Sequence, residues 1–372
     1  SVIFLVPDKA AIEPARVRFT ESGIENIMVI VREGTQEIQQ WLAIRSRPAA
    51  VVIGTRSAVF APANNLGLII VDAEDDYSYK QDQSPHYHAR ETAVIRAEVE
   101  GADVIAGSIS PSLESMLAVK TRTAGLIIPR ESEARASVHI VDMKNLPLIS
   151  GRQKMTISGY VHDAVMSALA KKEKTLFFIN KKGYASYAVC GHCSKVFRCP
   201  RCNINLNFYS AQNVLRCHYC NFIMPVPNIC PDCNAGYVRF LGAGTEKLGA
   251  ELKRMFPQAK IEQWNGETSS CRSDADILVS TESAIRHTGR KFDLVCALGI
   301  DNSLNHVDFR SAERTYRVLC GLKCLANKQL IVQTNMTRHH TITAIGRNEP
   351  RLFYDEEFKQ RRGSAKGGGS EK

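Results

Sequence analysis

The chain has 372 residues, a formal charge of +10 and a pI of about 9.0, too long for one small domain and long enough for two α/β lobes with an insertion. With 44% hydrophobic and 23% charged residues, it lies outside the low-hydrophobicity class of disordered chains. No stretch of about 18 apolar residues and no signal-peptide pattern occurs, so the expectation is a cytoplasmic protein without a membrane partner, whose positive charge favours anionic partners such as nucleic acid.

Ser1 opens directly onto the apolar run Val2 to Val6 without an initiator Met, so sequence upstream of it is allowed for. Further short apolar, β-branched runs follow at Ile27 to Val31, Ala50 to Ile53, Leu66 to Val71 and Val104 to Ala106. Polar or helical stretches separate them, the pattern of βαβ units around a parallel sheet. Residues 126–160 interrupt the rhythm with Pro129, Pro147, Gly151 and Gly159, which reads as a linker with the lobe boundary near 150.

The second lobe is expected to restart with an amphipathic helix near His162 to Lys171 and a strand at Leu176 to Ile179. After a cysteine-rich interruption come the strands Ile277 to Ser280, Leu294 to Leu298 and Leu330 to Gln333. The expected division is therefore 1–150 for an incomplete first lobe plus linker, 151–187 for the start of the second lobe, and 188–236 for a metal-binding insertion. Residues 237–362 complete the second lobe, and the Gly/Ser-rich 363–372 is a flexible tail.

Cys190/Cys193, Cys199/Cys202, Cys217/Cys220 and Cys230/Cys233 form four CxxC pairs. Zinc takes four soft ligands in a tetrahedron, and a CxxC turn presents two thiolates on one tight loop, so four pairs read as two structural zinc ions. The inner two pairs are separated by a stretch long enough for a β-hairpin. This favours a nested arrangement, with Cys199, Cys202, Cys217 and Cys220 on one ion and Cys190, Cys193, Cys230 and Cys233 on the other, over adjacent pairing, which the spacing leaves open. Reducing conditions in the cytoplasm weigh against disulfides. His192 and His218 lie inside pairs already complete in thiolates, and Cys271, Cys296, Cys320 and Cys324 read as small hydrophobes.

From Lys174 to Pro231 there are seven Lys/Arg and no Asp/Glu. Lys181, Lys182, Lys195, Arg198, Arg201 and Arg216 are the candidate nucleic-acid contacts, interleaved with Phe177, Phe178, Tyr184, Tyr187, Phe197, Phe208, Tyr209, Tyr219 and Phe222. Cations for phosphates and aromatic faces for bases are the ingredients of single-strand binding. The competing reading is that some cations neutralise the negative four-thiolate sites.

Residues 51–81 (VVIGTRSAVFAPANNLGLIIVDAEDDYSYKQ), followed by YHARETAVIRA, resemble the PriA family of bacterial replication-restart helicases. GSISPSLES (107–115), FFINKKGYA (177–185), the four CxxC pairs, GAGTEKLGAEL (242–252), ADILVSTES (275–283), DFRSAERTYRVL (308–319) and IVQT (331–334) continue it in the same order, from about residue 3 to residue 360. The resemblance implies two RecA-like lobes, with a zinc-binding insertion in the second whose ligand pairs are nested. It further implies ATP-driven 3′-to-5′ unwinding, binding to forked DNA at stalled forks, and primosome or replication proteins as partners.

Departures from the family pattern point the other way on catalysis. No GxGKT P-loop occurs in the chain, and such a loop belongs just before its first residues. The acidic box Asp-Glu-Glu-His reads Asp72, Ala73, Glu74 and Asp75, which leaves Asp72 for Mg²⁺ but no carboxylate at the position that orients water. QVAGRAGR, with its arginine fingers, reads GLKCLANK at Gly321 to Lys328, and the GTQMIAKGHDF-like segment reads STESAIRHTGRKF at Ser280 to Phe292. The expectation is a pseudo-helicase with no intact catalytic residue and no use of ATP or Mg²⁺, binding forked or single-stranded DNA. Two alternatives stand beside it: an active divergent helicase whose P-loop lies upstream, and a zinc-stabilised protein-interaction scaffold. Asp72, Glu74, Asp75 and Asp76 also read as solvated surface acids, and His86, His88, His339 and His340 lack metal-ligand spacing. Gly242 to Thr245 reads as a turn with Thr245 capping a helix rather than as a phosphate cradle.

Overall fold

The computed structural model describes residues 1–31, 35–47, 49–128, 136–144, 157–180, 187–193, 195–201, 205–209, 213–217, 222–236, 238–241, 245–264, 274–287, 289–305 and 308–367. The chain divides into two compact units, Ser1–Glu131 and Ser132–Lys372.

In the first unit, β1 (Val2–Leu5), β2 (Ile27–Ile30), β3 (Val51–Gly54), β4 (Leu68–Asp72) and β5 (Asp103–Gly107) form a five-stranded parallel sheet in the order β2-β3-β1-β4-β5. Four helices connect or follow them: α1 (Ile12–Glu21), α2 (Thr35–Ser46), α3 (Ala89–Glu100) and α4 (Leu113–Lys120). The strands are near-continuous apolar runs because helices cover a parallel sheet on its faces; Ile3, Leu5, Val52, Ile53, Ile69 and Val71 are buried. Gly54 ends β3 where only hydrogen fits, since a Cβ there would lie 2.5 Å from the Ala58 Cβ and 2.5 Å from the Ile30 carbonyl oxygen.

The second unit starts with β6 (Ser137–Asp142), α5 (Gly159–Ala170) and β7 (Thr175–Ile179). An antiparallel excursion follows, made of β8 (Tyr187–Cys190), β9 (Asn207–Tyr209), β10 (Val214–Arg216), β11 (Ile223–Pro225) and β12 (Val238–Leu241). The main fold resumes with α6 (Thr245–Met255), β13 (Ile261–Trp264), β14 (Ile277–Ser280), α7 (Ser283–His287), β15 (Phe292–Leu298), α8 (Asp301–Leu304), α9 (Ser311–Leu325), β16 (Ala326–Thr334), α10 (His340–Arg347) and α11 (Pro350–Gly367). Its six-stranded parallel sheet has the order β13-β14-β7-β15-β16-β6. No helix among the described residues is long and apolar enough to cross a membrane.

Three expectations shift. The division falls after Glu131 rather than near 150, because β6, inside the stretch read as linker, pairs in parallel with β16 along Ser137 to Asp142. The excursion spans 187–241 rather than 188–236, because β8 and β12 pair antiparallel from Cys190 with Val238 to Tyr187 with Leu241 and close its base. Finally, α11 continues to Gly367, into the segment 363–372 expected to be a tail; a helix already nucleated extends at one hydrogen bond per residue.

Candidate metal centre and strand-end sites

The outer two CxxC turns meet at the base of the excursion. The Sγ atoms of Cys190, Cys193, Cys230 and Cys233 all lie within 4.8 Å of one another, with Cys190 to Cys233 at 3.5 Å and Cys193 to Cys230 at 3.7 Å. A tetrahedron with zinc–sulfur bonds of about 2.3 Å has edges of about 3.8 Å, so the donor set lies close to the spacing that zinc requires. Three turns share one closure: the Cys190 amide donates to the Lys195 carbonyl, Cys217 to Phe222 and Cys230 to Ala235, at 2.8, 2.8 and 2.9 Å. Four sulfurs this close cannot all ionise without a cation. The Cys190 thiol is brought down to about 6, first by the Cys193 amide. Cys193 is pushed up to about 12: the Lys195 amide acts to lower it, but desolvation and the other three sulfurs outweigh that.

Of the inner pairs, Cys199 and Cys217 are buried in a small core with Ala188, Phe197, Leu206 and Leu215. Cys202 and Cys220 lie outside the described residues, as do His218 and Cys271. The spacer between the inner pairs forms the hairpin β9–β10, with β11 as a third strand. Cys296 is buried, which pushes its thiol up; Cys320 is half-buried and Cys324 exposed, so helix position rather than residue type sets their burial.

The basic stretch is less free than its composition implied. Lys195 is ion-paired with Asp232, one residue beyond the acid-free interval. Arg198 is exposed between the buried Phe197 and Cys199, and Arg201 is exposed with its guanidinium 5.8 Å from the Phe222 ring centre. Arg216 is half-buried on β10. Phe177 and Phe178 are fully buried in the main sheet, and Phe197, Phe208 and Phe222 serve the small core. These rings hold the fold together and present little face to a base. Lys181, Lys182, Tyr184, Tyr219 and Gly242 to Gly244 lie outside the described residues; α6 begins at Thr245.

At the carboxyl end of β4 the acidic box forms a tight turn. Ala73 has φ of 48°, a left-handed conformation that costs an L-residue about 1 kcal/mol or more. Glu74 is only 1% exposed. One of its carboxylate oxygens accepts the Ser112 amide at 2.7 Å, and the other accepts Arg90 at 2.7 Å, while Arg90 also donates to the Ser112 hydroxyl at 2.6 Å. Three segments far apart in sequence thus converge: the box, the HARET helix α3 and the GSISPSLES turn that caps α4. Ser108 of that turn donates to Asp75 at 2.5 Å, and Asp76 is buried and caps the turn Tyr77–Tyr79. The buried Tyr79 hydroxyl lies 2.6 Å from the Asp72 carbonyl and 3.0 Å from that of Leu5, clamping β4 to β1. Of Asp72, Glu74, Asp75 and Asp76, Asp72 alone is exposed, and partial desolvation raises its carboxyl pKa. The solvated-surface reading therefore fails for Glu74 and Asp76. Replacing Ala73 with Gly is expected to raise the unfolding free energy by about 1 kcal/mol, by relieving the left-handed alanine; chemical denaturation checks it.

In the second unit, α9 passes into β16 without an intervening loop. Its cations there are engaged, Lys323 with Asn348 and Lys328 with Glu173. Gly321 lies against α7, where a Cβ would come within 2.5 Å of the Ile285 side chain. Glu282, just after β14, pairs with Arg317 and Arg286. Asp301 accepts Thr334 and the Asn335 amide, the latter at 2.8 Å, tying the ends of β15 and β16 together. His340 pairs with Glu357 at 3.0 Å and His339 caps α10, so both have structural partners.

Comparison with known proteins places these features. A family model described as the PriA DNA helicase Cys-rich region (CRR) domain matches residues 199–225. Replication restart protein PriA of Bacillus subtilis (strain 168) is 32% identical over 393 residues, covering 97% of this chain and 47% of that protein. PriA of Synechocystis sp. is 33% identical over 394 residues, again covering 97% of this chain and 47% of the relative. The chain thus spans about half the length of the curated relatives it matches. Among solved structures, the DUF1998 helicase MrfA bound to DNA and AMPPNP aligns with a TM-score of 0.51 at 10% identity, covering 95% of this chain and 44% of that one; this likeness concerns the fold alone. The two parallel-sheet units are RecA-like lobes, the cysteine region is a zinc-ribbon insertion in the second, and over nearly its whole length the chain is PriA-like in sequence.

Proposed function

We propose that this PriA-like chain is a DNA-binding protein of replication restart that works without ATP turnover. The observation that carries this reading is the acidic box. Ala73 stands where a carboxylate would orient water, and Glu74 is held in a buried pair with Arg90 rather than facing solvent. A buried, fully hydrogen-bonded carboxylate makes a poor general base, because protonating it breaks its pair. The direct passage of α9 into β16, with its lysines engaged, supports the same reading for the arginine-finger position. Losing both elements removes several orders of magnitude in rate. Asp72 remains the residue that would hold a Mg²⁺ ion.

Two zinc ions are assigned on the same footing: Cys190, Cys193, Cys230 and Cys233 for one, Cys199, Cys202, Cys217 and Cys220 for the other. They would act structurally, holding Arg198, Arg201 and Arg216 on a rigid ribbon as contacts to DNA phosphates. Forked or single-stranded DNA and replication or primosome proteins are the proposed partners, and the cytoplasm the proposed location.

The test is ATP turnover with and without DNA, alongside anisotropy binding to forked, single-stranded and duplex DNA across a salt series. We expect no DNA-stimulated turnover, with binding that weakens linearly in log salt as counterions are released. DNA-stimulated hydrolysis would sink the ATP-independent reading. Absence of binding at low salt would sink the DNA reading and leave a protein-interaction scaffold.

A further inference from the structure

Most aromatic rings that the sequence offered for base stacking are spent on cores; of the rings exposed outside that stretch among the described residues, Phe309 is the most open. Phe309 lies in the connection from β15 to α9 and is 72% exposed. That connection leaves the carboxyl end of a parallel sheet, the side on which open α/β sheets bind ligands. Isolated exposed apolar residues are common and need no explanation. Phe309 differs in what surrounds it: the guanidinium carbons of Arg310 and Arg361 sit 5.2 and 5.3 Å from its ring centre.

Both guanidiniums are positioned by acids set deeper in the unit. Arg361 donates to Glu357 at 3.2 Å and to Glu313 at 2.8 Å, and Arg310 pairs with Glu313 at 3.2 Å. Glu357 is itself 3% exposed. Burial acts to raise its carboxyl pKa, but the hydrogen bond from His340 and the charge of Arg361 prevail and lower it. Arg361 comes from α11 and Arg310 precedes α9, so two elements fix the cations around one ring. Arg314, a turn further along α9, is paired with Asp308 at 2.9 Å. Both guanidiniums lie over the ring, yet the residue as a whole remains largely open to solvent. The arrangement presents an exposed aromatic residue with two ordered, planar cations set against its ring.

We infer that Phe309, flanked by Arg310 and Arg361, is a stacking platform for an unpaired nucleobase of single-stranded DNA, with the two guanidiniums meeting the adjoining phosphates. This rests on the DNA reading above and assigns it a base-contacting residue outside the zinc ribbon. A base stacks on a ring of either electronic character because every base has a π face, so the contact carries little sequence preference. Arginine suits this place, since its planar fork can bind a phosphate oxygen while remaining stacked on an aromatic face.

The experiment compares wild type, Phe309→Ala, Phe309→Leu and Phe309→Trp for binding to a fluorescent oligothymidylate and to an abasic strand of the same length. Because Phe309 is exposed, all four should melt alike, and melting curves check this. Phe309→Ala and Phe309→Leu should each lose about tenfold or more in affinity for oligothymidylate. Phe309→Trp should bind within about twofold of wild type, with its added indole emission quenched by the strand. On the abasic strand, which keeps phosphates but offers no base, all four should bind alike. Equal affinity of wild type and Phe309→Ala for oligothymidylate overturns the platform while leaving the DNA reading intact, as does an equal loss on the abasic strand. Failure of the wild type to bind either strand at low salt overturns both.

Discussion

Removing zinc with a strong chelator should unfold the cysteine-rich excursion while the two parallel sheets stay folded. The excursion has only a small core of its own, built around Ala188, Phe197, Leu206 and Leu215, far less than each main sheet buries. A region with so little apolar burial depends on its metal, and structural zinc contributes on the order of 10 kcal/mol per site to such folds. Metal analysis is expected to give two zinc ions per chain, falling to one in Cys190→Ser and in Cys233→Ser alike, because both belong to the outer cluster. Hydrogen exchange should then show lost protection across 187–241 and retained protection in β7, β14 and β15. A chain that holds no zinc, or one whose excursion keeps its exchange protection after chelation, would overturn the assignment.

The second large effect belongs to the buried pair of Glu74 and Arg90. Glu74→Ala should destabilise the first unit by about 3 kcal/mol, because it leaves the Ser112 amide without its acceptor and removes the buried guanidinium's nearest carboxylate, with only Glu91 and Glu114 remaining at 3.6 Å. Asp72→Ala, at an exposed position two residues away, should change stability by no more than about 0.5 kcal/mol. Replacing Glu74 and Arg90 together with methionine should recover much of the loss, since two apolar groups of similar volume leave no charge stranded. Denaturant unfolding followed by circular dichroism tests all three. If Glu74→Ala were as stable as wild type, the carboxylate would not be the structural hub described here, and a catalytic part for it would be back in contention.

How far the residues alone foretold this differs from element to element. The central strands were legible because a parallel sheet covered on both faces demands continuous apolar runs, and Val51 to Ile53, Leu176 to Ile179 and Ile277 to Ser280 are such runs. Edge strand β6 was not, because Ser137 to Asp142 alternates between exposed and half-buried positions among turn-forming residues, a pattern that a linker shares. The outer cysteine cluster was legible only in part, because a CxxC turn fixes the relation of its two sulfurs while the spacing left adjacent pairing open; the fold gathers Cys190, Cys193, Cys230 and Cys233.

Local chemistry therefore determined, from sequence, that the chain has two α/β lobes, a zinc ribbon and an acidic turn with Ala73 between Asp72 and Glu74. Tertiary structure decided which charged and aromatic groups remain available to a partner. Composition cannot distinguish Phe177, closed inside a sheet, from Phe309, exposed with two arginines against its ring, nor Glu74, locked beneath Arg90, from Asp72 at the surface. Burial and pairing arise from segments distant in the chain, and they set the free energy of exposing a ring or a charge. That free energy separates a residue that supports the fold from one that can act on something outside it.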